Sequence, residues 1–356
     1  MRILIVKLSA IGDVVHTLPA AALLKRALPD ARIAWAVRPR AATVLKDSPA
    51  IDELIELQPR VGVTGLRSQL NGRGFVDIAI DFQGLIKSGL VAFSSRAKRR
   101  VGFETSDLRE RASRLFLTEQ VETSQFKHVI EKNLALARAA VGLGAQAARL
   151  PHSSAARGQA GGPPALAGYE FPIAVSREDE RFAERVSENQ RGRFVIINPG
   201  GGWPTKLWSA ERYAELADWL WSDCELGSVV TYGPGEEALA DRVVASSKSG
   251  AARSLASSLK QFVAVARRAA LFVGGDTGPL HLAAASGTPI VGIYGPTSAE
   301  RNGPFDTRDI TIGRDLWCRA DCHRRSCWHW ECMDIPVSDV KRAVLTRFER
   351  AQEAAK

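Results

Sequence analysis

Residues Gly274–Gly295 read GGDTGPLHLAAASGTPIVGIYG and follow a short apolar run, LFV, at Leu271–Val273. The order is strand, glycine turn, helix, Gly-Thr-Pro turn and a second strand at Ile290–Tyr294, which is a βαβ unit with a right-handed crossover. Gly274 and Gly275 permit a tight turn, and Asp276 and Thr277 are residue types that cap a helix. Gly278 lets a ligand approach the N–H groups that open the helix. A helix start of this kind is a natural phosphate site, although a capped βα turn without a ligand reads the same way. His281 lies four residues after Thr277 and so on its face of the helix, either in that site or as a structural histidine.

The same alternation extends outward on both sides. Arg2–Val6 (RILIV) and Phe194–Asn198 (FVIIN) are continuous apolar runs of strand length, as in parallel sheets covered on both faces. Ile33–Val37, Ile51–Leu57 and Val76–Asp81 add strands to the first half, and Ser228–Tyr232 adds one to the second. Ser176–Gln190 and a stretch from about Ser209 to Leu220 read as helices. Residues 151–170 concentrate Pro, Gly, Ser and Ala without periodicity and read as a linker. The expectation is an α/β protein of two doubly wound Rossmann-like domains, 1–172 (linker from about 151) and 173–335, with a terminal helix at 336–356. Ligands then bind at the carboxyl ends of the strands.

Composition agrees with a folded chain of this size. The 356 residues are 45% hydrophobic, 24% charged and 7% aromatic, which excludes disordered, collagen-like and coiled-coil classes. Net charge is +9, which suits a polyanionic partner or substrate. No apolar run reaches the roughly 18 to 20 residues that span a bilayer, and the apolar N-terminus is broken by Lys7, Asp13 and His16, so cytoplasmic residence is expected.

Three further segments place polar residues at strand ends. Asn198–Trp208 (NPGGGWPTKLW) opens a loop ending in Thr205 and Lys206; it lacks the Gly-Lys-Ser/Thr order of a Walker loop. Lys206 is either a point charge for a phosphate or a solvated lysine. Glu236 and Glu237, in YGPGEE, suit either ribose hydroxyls or the positive start of the next helix. In SAIGDVVHT, Gly12 gives a tight turn, and Asp13 is either a helix N-cap or a general base. The spacing is not G-x-G-x-x-G, which counts against a nicotinamide enzyme.

Basic residues cluster at Arg96, Lys98, Arg99, Arg100, Arg109, Arg111 and Arg114, with Lys87 just before. They form either a solvated face or a surface for an anionic acceptor, and without interleaved aromatics no nucleic-acid partner is expected. Cys318, Cys322, Cys327 and Cys332, with His323 and His329 among them, resemble a structural metal cluster, but the spacings are irregular for zinc.

Taken together, IGDVVHTLPA at 11–20, IDFQGLIKSG at 80–89, VGF at 101–103, DLRERAS at 107–113, KHVIEKN at 127–133, TKLWSAERYAELA at 205–217 and the 274–297 segment resemble the ADP-heptose:lipopolysaccharide heptosyltransferases. These are glycosyltransferases of GT-B architecture, in which two Rossmann-like domains face a central cleft. The FQGLIKS and LRERAS stretches resemble the branch that adds the first heptose to Kdo-lipid A. The resemblance implies an inverting, cofactor-free transfer with Asp13 as base and Lys206 stabilising the leaving group, and a terminal helix, 336–356, that returns to the first domain. It further implies ADP-heptose contacts from Gly12, Thr205, Lys206, Glu236 or Glu237, Asp276, Thr277, Gly278 and His281, and acceptor contacts from Lys87 and Arg109. An anionic inner-membrane surface is expected to meet Arg96, Lys98, Arg99 and Arg100. A second heptosyltransferase acting on an already heptosylated acceptor, or a non-catalytic nucleotide-sugar or polyanion binder, fits the same segments.

Overall fold

Two six-stranded, all-parallel sheets carry the fold, one in each half of the chain. The computed structural model describes residues 1–58, 63–71, 74–143, 169–190, 192–318, 322, 326–328 and 330–353. The chain divides into two units, Met1–Ala174 and Val175–Lys356. Most of the expected linker, up to residue 168, lies outside the described residues.

In the first unit the strands are β1 (Arg2–Val6), β2 (Arg32–Val37), β3 (Glu53–Glu56), β4 (Ile78–Asp81), β5 (Arg99–Phe103) and β6 (Glu119–Val121). Their order across the sheet is β3-β2-β1-β4-β5-β6. The helices are α1 (Ile11–Val15), α2 (Leu18–Ala27), α3 (Pro39–Leu45), α4 (Val63–Asn71), α5 (Ile86–Ser94) and α6 (Val129–Ala140). Apolar β1 is wholly buried because it is central: Ile3 pairs with Ile33 on one side and Ile78 on the other. Leu4, Val6, Ala34, Ala36 and Ile55 form much of one core layer.

The second unit repeats the plan. Its strands are β7 (Phe194–Asn198), β8 (Gly227–Thr231), β9 (Ala252–Leu255), β10 (Leu271–Gly275), β11 (Ile290–Ile293) and β12 (Ile310–Ile312), in the order β12-β11-β10-β7-β8-β9. The helices are α7 (Arg177–Asn189), α8 (Ala210–Cys224), α9 (Glu237–Ser246), α10 (Leu259–Arg268), α11 (Gly278–Ala285), α12 (Ala299–Asn302) and α13 (Val337–Glu353). Ser176 starts α7 by accepting the Asp179 N–H at 3.1 Å while the Asp179 carboxylate accepts the Ser176 N–H at 2.9 Å, a reciprocal cap. In both sheets the winding reverses once, between β1 and β4 and between β7 and β10, and those switch points are where open α/β sheets bind ligands.

The last helix, α13, packs on α8, β11 and β12 of its own unit. Val340 and Val344 are fully buried in that unit's core, beside Trp208, whose Nε1 donates to Ile335 O at 2.9 Å. Arg347 Nε donates to Asp309 Oδ1 at 2.8 Å in a buried pair. These apolar and ionic anchors fix the helix where it is.

Candidate functional site

Each unit gathers its polar side chains at its own switch point. In the first, Asp13 follows β1 and sits in the opening turn of α1, with Gly12 buried beside it. The N-cap is Ala10, which has no side chain to cap with, so the Asp13 carboxylate serves instead: Oδ2 accepts the Ala10 N–H at 3.2 Å. Oδ1 is directed to cations, 3.4 Å from Arg109 Nη2 and 3.9 Å from Lys7 Nζ. One oxygen therefore holds the turn while the other faces positive charge.

The loop after β4 supports this arrangement. Gln83 is buried; its Oε1 accepts the Leu8 N–H at 2.7 Å and its Nε2 donates to Ser9 O at 2.7 Å, clamping the chain just ahead of Asp13. Lys7 Nζ donates to Phe82 O at 2.7 Å. Gly84 has φ +67 and a Cβ there would lie 3.1 Å from Leu108, so glycine lets the segment bearing Arg109 close over this loop. Asp107, two residues earlier, is fixed by Lys132 at 2.5 Å and Thr123 at 2.6 Å. Asp81, at the end of β4, is wholly buried; burial pushes its carboxyl up to about 6 against hydrogen bonds from Gln83, Ser88 and Gly84 and the charge of Lys7.

In the second unit Lys206 ends a single 3-10 turn, Pro204–Lys206, and is buried. Its Nζ donates to Asp276 Oδ2 at 2.7 Å and to Asp276 O at 2.8 Å, and lies 4.2 Å from the centre of the Trp203 ring. Asp276 Oδ1 meets His281 Nε2 at 3.1 Å and accepts from Asn302 Nδ2 at 2.8 Å. Burial alone would raise the Asp276 carboxyl, but the His281 hydrogen bond and the charges of His281 and Lys206 hold it below the usual carboxylate range. Asp276 is thus the hub of a charged cluster and not a helix cap. Thr277 is the N-cap residue of α11, yet its side chain makes no cap bond there, so it does not occupy the helix's first amides.

The two acidic candidates separate. Glu236 Oε2 accepts the Gly233 N–H at 3.0 Å, and a Cβ on Gly200 would lie 2.5 Å from that same oxygen, so its carboxylate lies over the glycine loop after β7. Glu237 is exposed in the first turn of α9. Thr205 is buried beside Lys206.

Of the basic cluster, Lys87, Arg96, Lys98, Arg109, Arg111 and Arg114 are exposed. Arg99 belongs to the fold: it pairs with Glu119 through Nε at 2.7 Å and Nη2 at 2.8 Å. Arg100 likewise donates to Phe116 O at 2.7 Å and Ala97 O at 2.8 Å. Both open β5, and their partly exposed side chains tie it to neighbouring segments.

Cys318, Cys322, Cys327 and Cys332 are free thiols, and among the described residues no group of three or more His, Cys, Asp or Glu is placed to hold a metal ion. His323 and His329 lie outside the described residues. Lys7, Gln83, Asn302 and Asn198, whose Oδ1 accepts from Thr277 Oγ1 at 3.5 Å, are not singled out by sequence. Gln83 lies inside the quoted IDFQGLIKSG stretch and Asn198 ends an apolar strand, whereas Asn302 carries no local signal at all.

Comparison with known proteins follows the same lines. The profile of glycosyltransferase family 9 (heptosyltransferase) matches residues 63–329. Lipopolysaccharide heptosyltransferase 1 of Pseudomonas aeruginosa is 28% identical, over 98% of this chain and 94% of its own. Among solved structures, the glycosyl transferase family 9 protein of Veillonella parvula superposes with a TM-score of 0.78 at 22% identity, over 97% of this chain and 96% of that one. The Escherichia coli heptosyltransferase WaaC with ADP superposes with a TM-score of 0.69 at 25% identity, over 99% of both chains.

Proposed function

The chain belongs to glycosyltransferase family 9, the heptosyltransferases, and on that premise we propose that it moves L-glycero-D-manno-heptose from ADP-heptose to the Kdo of Kdo-lipid A in lipopolysaccharide inner-core synthesis, with inversion at the anomeric carbon. The observation that carries the donor assignment is the buried Lys206, held by Asp276 beside the uncapped start of α11. A fixed cation next to open backbone amides is what a departing diphosphate needs. The similarity to a heptosyltransferase solved with ADP supports the nucleotide.

In this reading Asp13 accepts the proton of the acceptor hydroxyl as that oxygen bonds to the anomeric carbon. The bond from the anomeric carbon to the diphosphate oxygen breaks, and ADP leaves with its electron pair. Lys206, Thr205 and the amides of Thr277 and Gly278 take up the charge that grows on the diphosphate. Asp276 and His281 keep Lys206 in place and meet the nucleotide sugar, for which Gly12 is a further assigned contact. Glu236 rather than Glu237 is our assignment for the ribose, because its carboxylate lies over the glycine loop after β7. Lys87 and Arg109 receive the acidic acceptor, and Arg109 is already drawn towards Asp13. The acceptor assignment is supported by the similarity to a lipopolysaccharide heptosyltransferase 1.

No helix among the described residues is long and apolar enough to cross a membrane. We place the protein in the cytoplasm, peripheral on the inner face of the membrane that holds the acceptor. The test is to incubate the protein with ADP-heptose and Kdo-lipid A and follow the acceptor by mass spectrometry. A gain of one heptose with release of ADP is expected; an unchanged acceptor beside intact ADP-heptose refutes the assignment.

A further inference from the structure

We propose that the face formed by α5 and the 3-10 helix Arg111–Phe116 inserts apolar side chains into an anionic lipid surface, next to the Asp13 site. On this face Ile86 is 40% exposed, Phe93 41% and Leu115 74%. Ile86 and Phe93 are seven residues apart, with Leu90 between, and therefore share one stripe of α5. The 3-10 helix packs against that stripe: the Phe93 and Phe116 rings are 6.1 Å apart, and a Cβ on Gly89 would lie 2.7 Å from Phe116. Large apolar side chains left in water on adjoining elements mark an interaction surface.

Its surroundings select the partner. Between Ile86 and Phe116 the exposed charged side chains are Lys87, Arg96, Lys98, Arg109, Arg111 and Arg114, against the single carboxylate of Glu110. Even that carboxylate is engaged, accepting the Ile86 N–H at 2.6 Å. The guanidiniums of Arg67 and Arg100 lie 5.9 and 5.7 Å from the Phe93 ring centre. Apolar tips ringed by cations match a bilayer's acyl boundary beneath anionic headgroups. A protein partner of this apolarity would not require so one-sided a charge. The face also begins at the site: Glu110 N donates to Gly84 O at 3.1 Å, and Arg109, its neighbour, approaches Asp13. An acceptor anchored in the bilayer would thus present its sugar beside Asp13. This placement rests on the reading of the acceptor as lipid-borne.

The apolar contribution is separable from the electrostatic one by salt, because at 1 M the Debye length falls to about 3 Å and charge attraction is screened. The full chain is tested by co-sedimentation with phosphatidylglycerol/phosphatidylethanolamine vesicles at 0.1 and 1 M salt, alongside transfer to Kdo-lipid A in vesicles and to a deacylated, water-soluble Kdo acceptor. Ile86→Ser/Leu115→Ser should lower vesicle binding at 1 M salt by about ten-fold or more, as expected for removing two inserting side chains. It should lower transfer to the vesicle-borne acceptor and leave transfer to the soluble acceptor unchanged. Leu115→Ser alone, at the most exposed position, should give a smaller loss with an unaltered melting temperature. The proposal is overturned if the wild type ignores the vesicles, if the double variant binds them equally well, or if transfer to the soluble acceptor falls in step. The first result would turn attention to a protein partner, and the last would place the face in the acceptor site. Failure of the heptosyltransferase reading is distinct: vesicle binding would persist while neither acceptor gained heptose.

Discussion

Lys206 Nζ donates to both the carboxylate and the backbone carbonyl of Asp276, at 2.7 and 2.8 Å, and so ties the loop after β7 to the loop after β10. Both side chains are buried, at 9% and 5% exposure. Lys206→Ala should therefore have two effects. ADP binding should weaken by about 1 to 3 kcal/mol through a lost charge-assisted contact. Stability should fall by up to roughly 3 to 5 kcal/mol, because Asp276 stays buried without its cation. Titration calorimetry and urea unfolding measure the two; unchanged ADP affinity would remove Lys206 from the donor site.

Asp13→Asn isolates the base from the cap. An asparagine carbonyl can still accept the Ala10 N–H, so the turn is expected to persist. Turnover should drop by about 10²-fold or more, as on loss of a general base, while ADP affinity stays near wild type. Parallel loss of ADP affinity and turnover would reduce Asp13 to its structural bond.

Asp81 gives the first unit a defined pH dependence. Burial raises its carboxyl to about 6 in the folded protein from an ordinary 3.8. The folded state thus holds a proton that the unfolded chain gives up between those values. The stability this contributes is complete below pH 3.8 and is lost as pH rises through 6. Asp81→Asn cannot ionise, so between pH 4 and 7 its stability should gain on the wild type by roughly 1 to 3 kcal/mol. Denaturant midpoints measured across that window should converge or cross; parallel curves would contradict the assignment.

The elements that sequence displays best are those buried on both faces. β1 and β7 have the bounds their apolar runs indicate, and Ser176 caps α7 where the periodicity begins. The peripheral strands are less legible. β5 opens with two arginines and reads as a basic cluster, since its pairing with Glu119 comes from β6, a three-residue strand with no pattern of its own. The site shows the same division. Lys206 and Asp276 stand in glycine-rich turns that advertise them, His281 lies in the helix that follows, and the structure joins the three directly. Asn302 reaches Asp276 from 26 residues away, and Tyr294 Oη holds its backbone carbonyl at 3.3 Å. Only the tertiary fold creates that contact. The same is true of α13, whose amphipathic pattern states that it packs but not on what.

Arg347 tests that helix. Its guanidinium pairs with Asp309, both 3% exposed, and burial raises the Asp309 carboxyl to about 6 despite the pair. Arg347→Met keeps the packing of the stem and removes the cation. Breaking a buried pair from one side should cost about 3 to 5 kcal/mol, and Asp309→Asn in the same chain should recover much of it. Unfolding by urea with tryptophan fluorescence reads mainly the second unit, which carries seven of the eight tryptophans. An Arg347→Met midpoint equal to the wild type would mean that the terminal helix does not contribute to that unit's stability.

The most direct measurement of the central claim offers ADP-heptose to two acceptors side by side, Kdo-lipid A and the same molecule already carrying one heptose. The account predicts that heptose passes to Kdo-lipid A, that the product has the inverted anomeric configuration, and that Asp13→Asn lowers turnover about 10²-fold or more without abolishing ADP binding. Transfer only to the heptosylated acceptor, or to neither with ADP-heptose left intact, would contradict it.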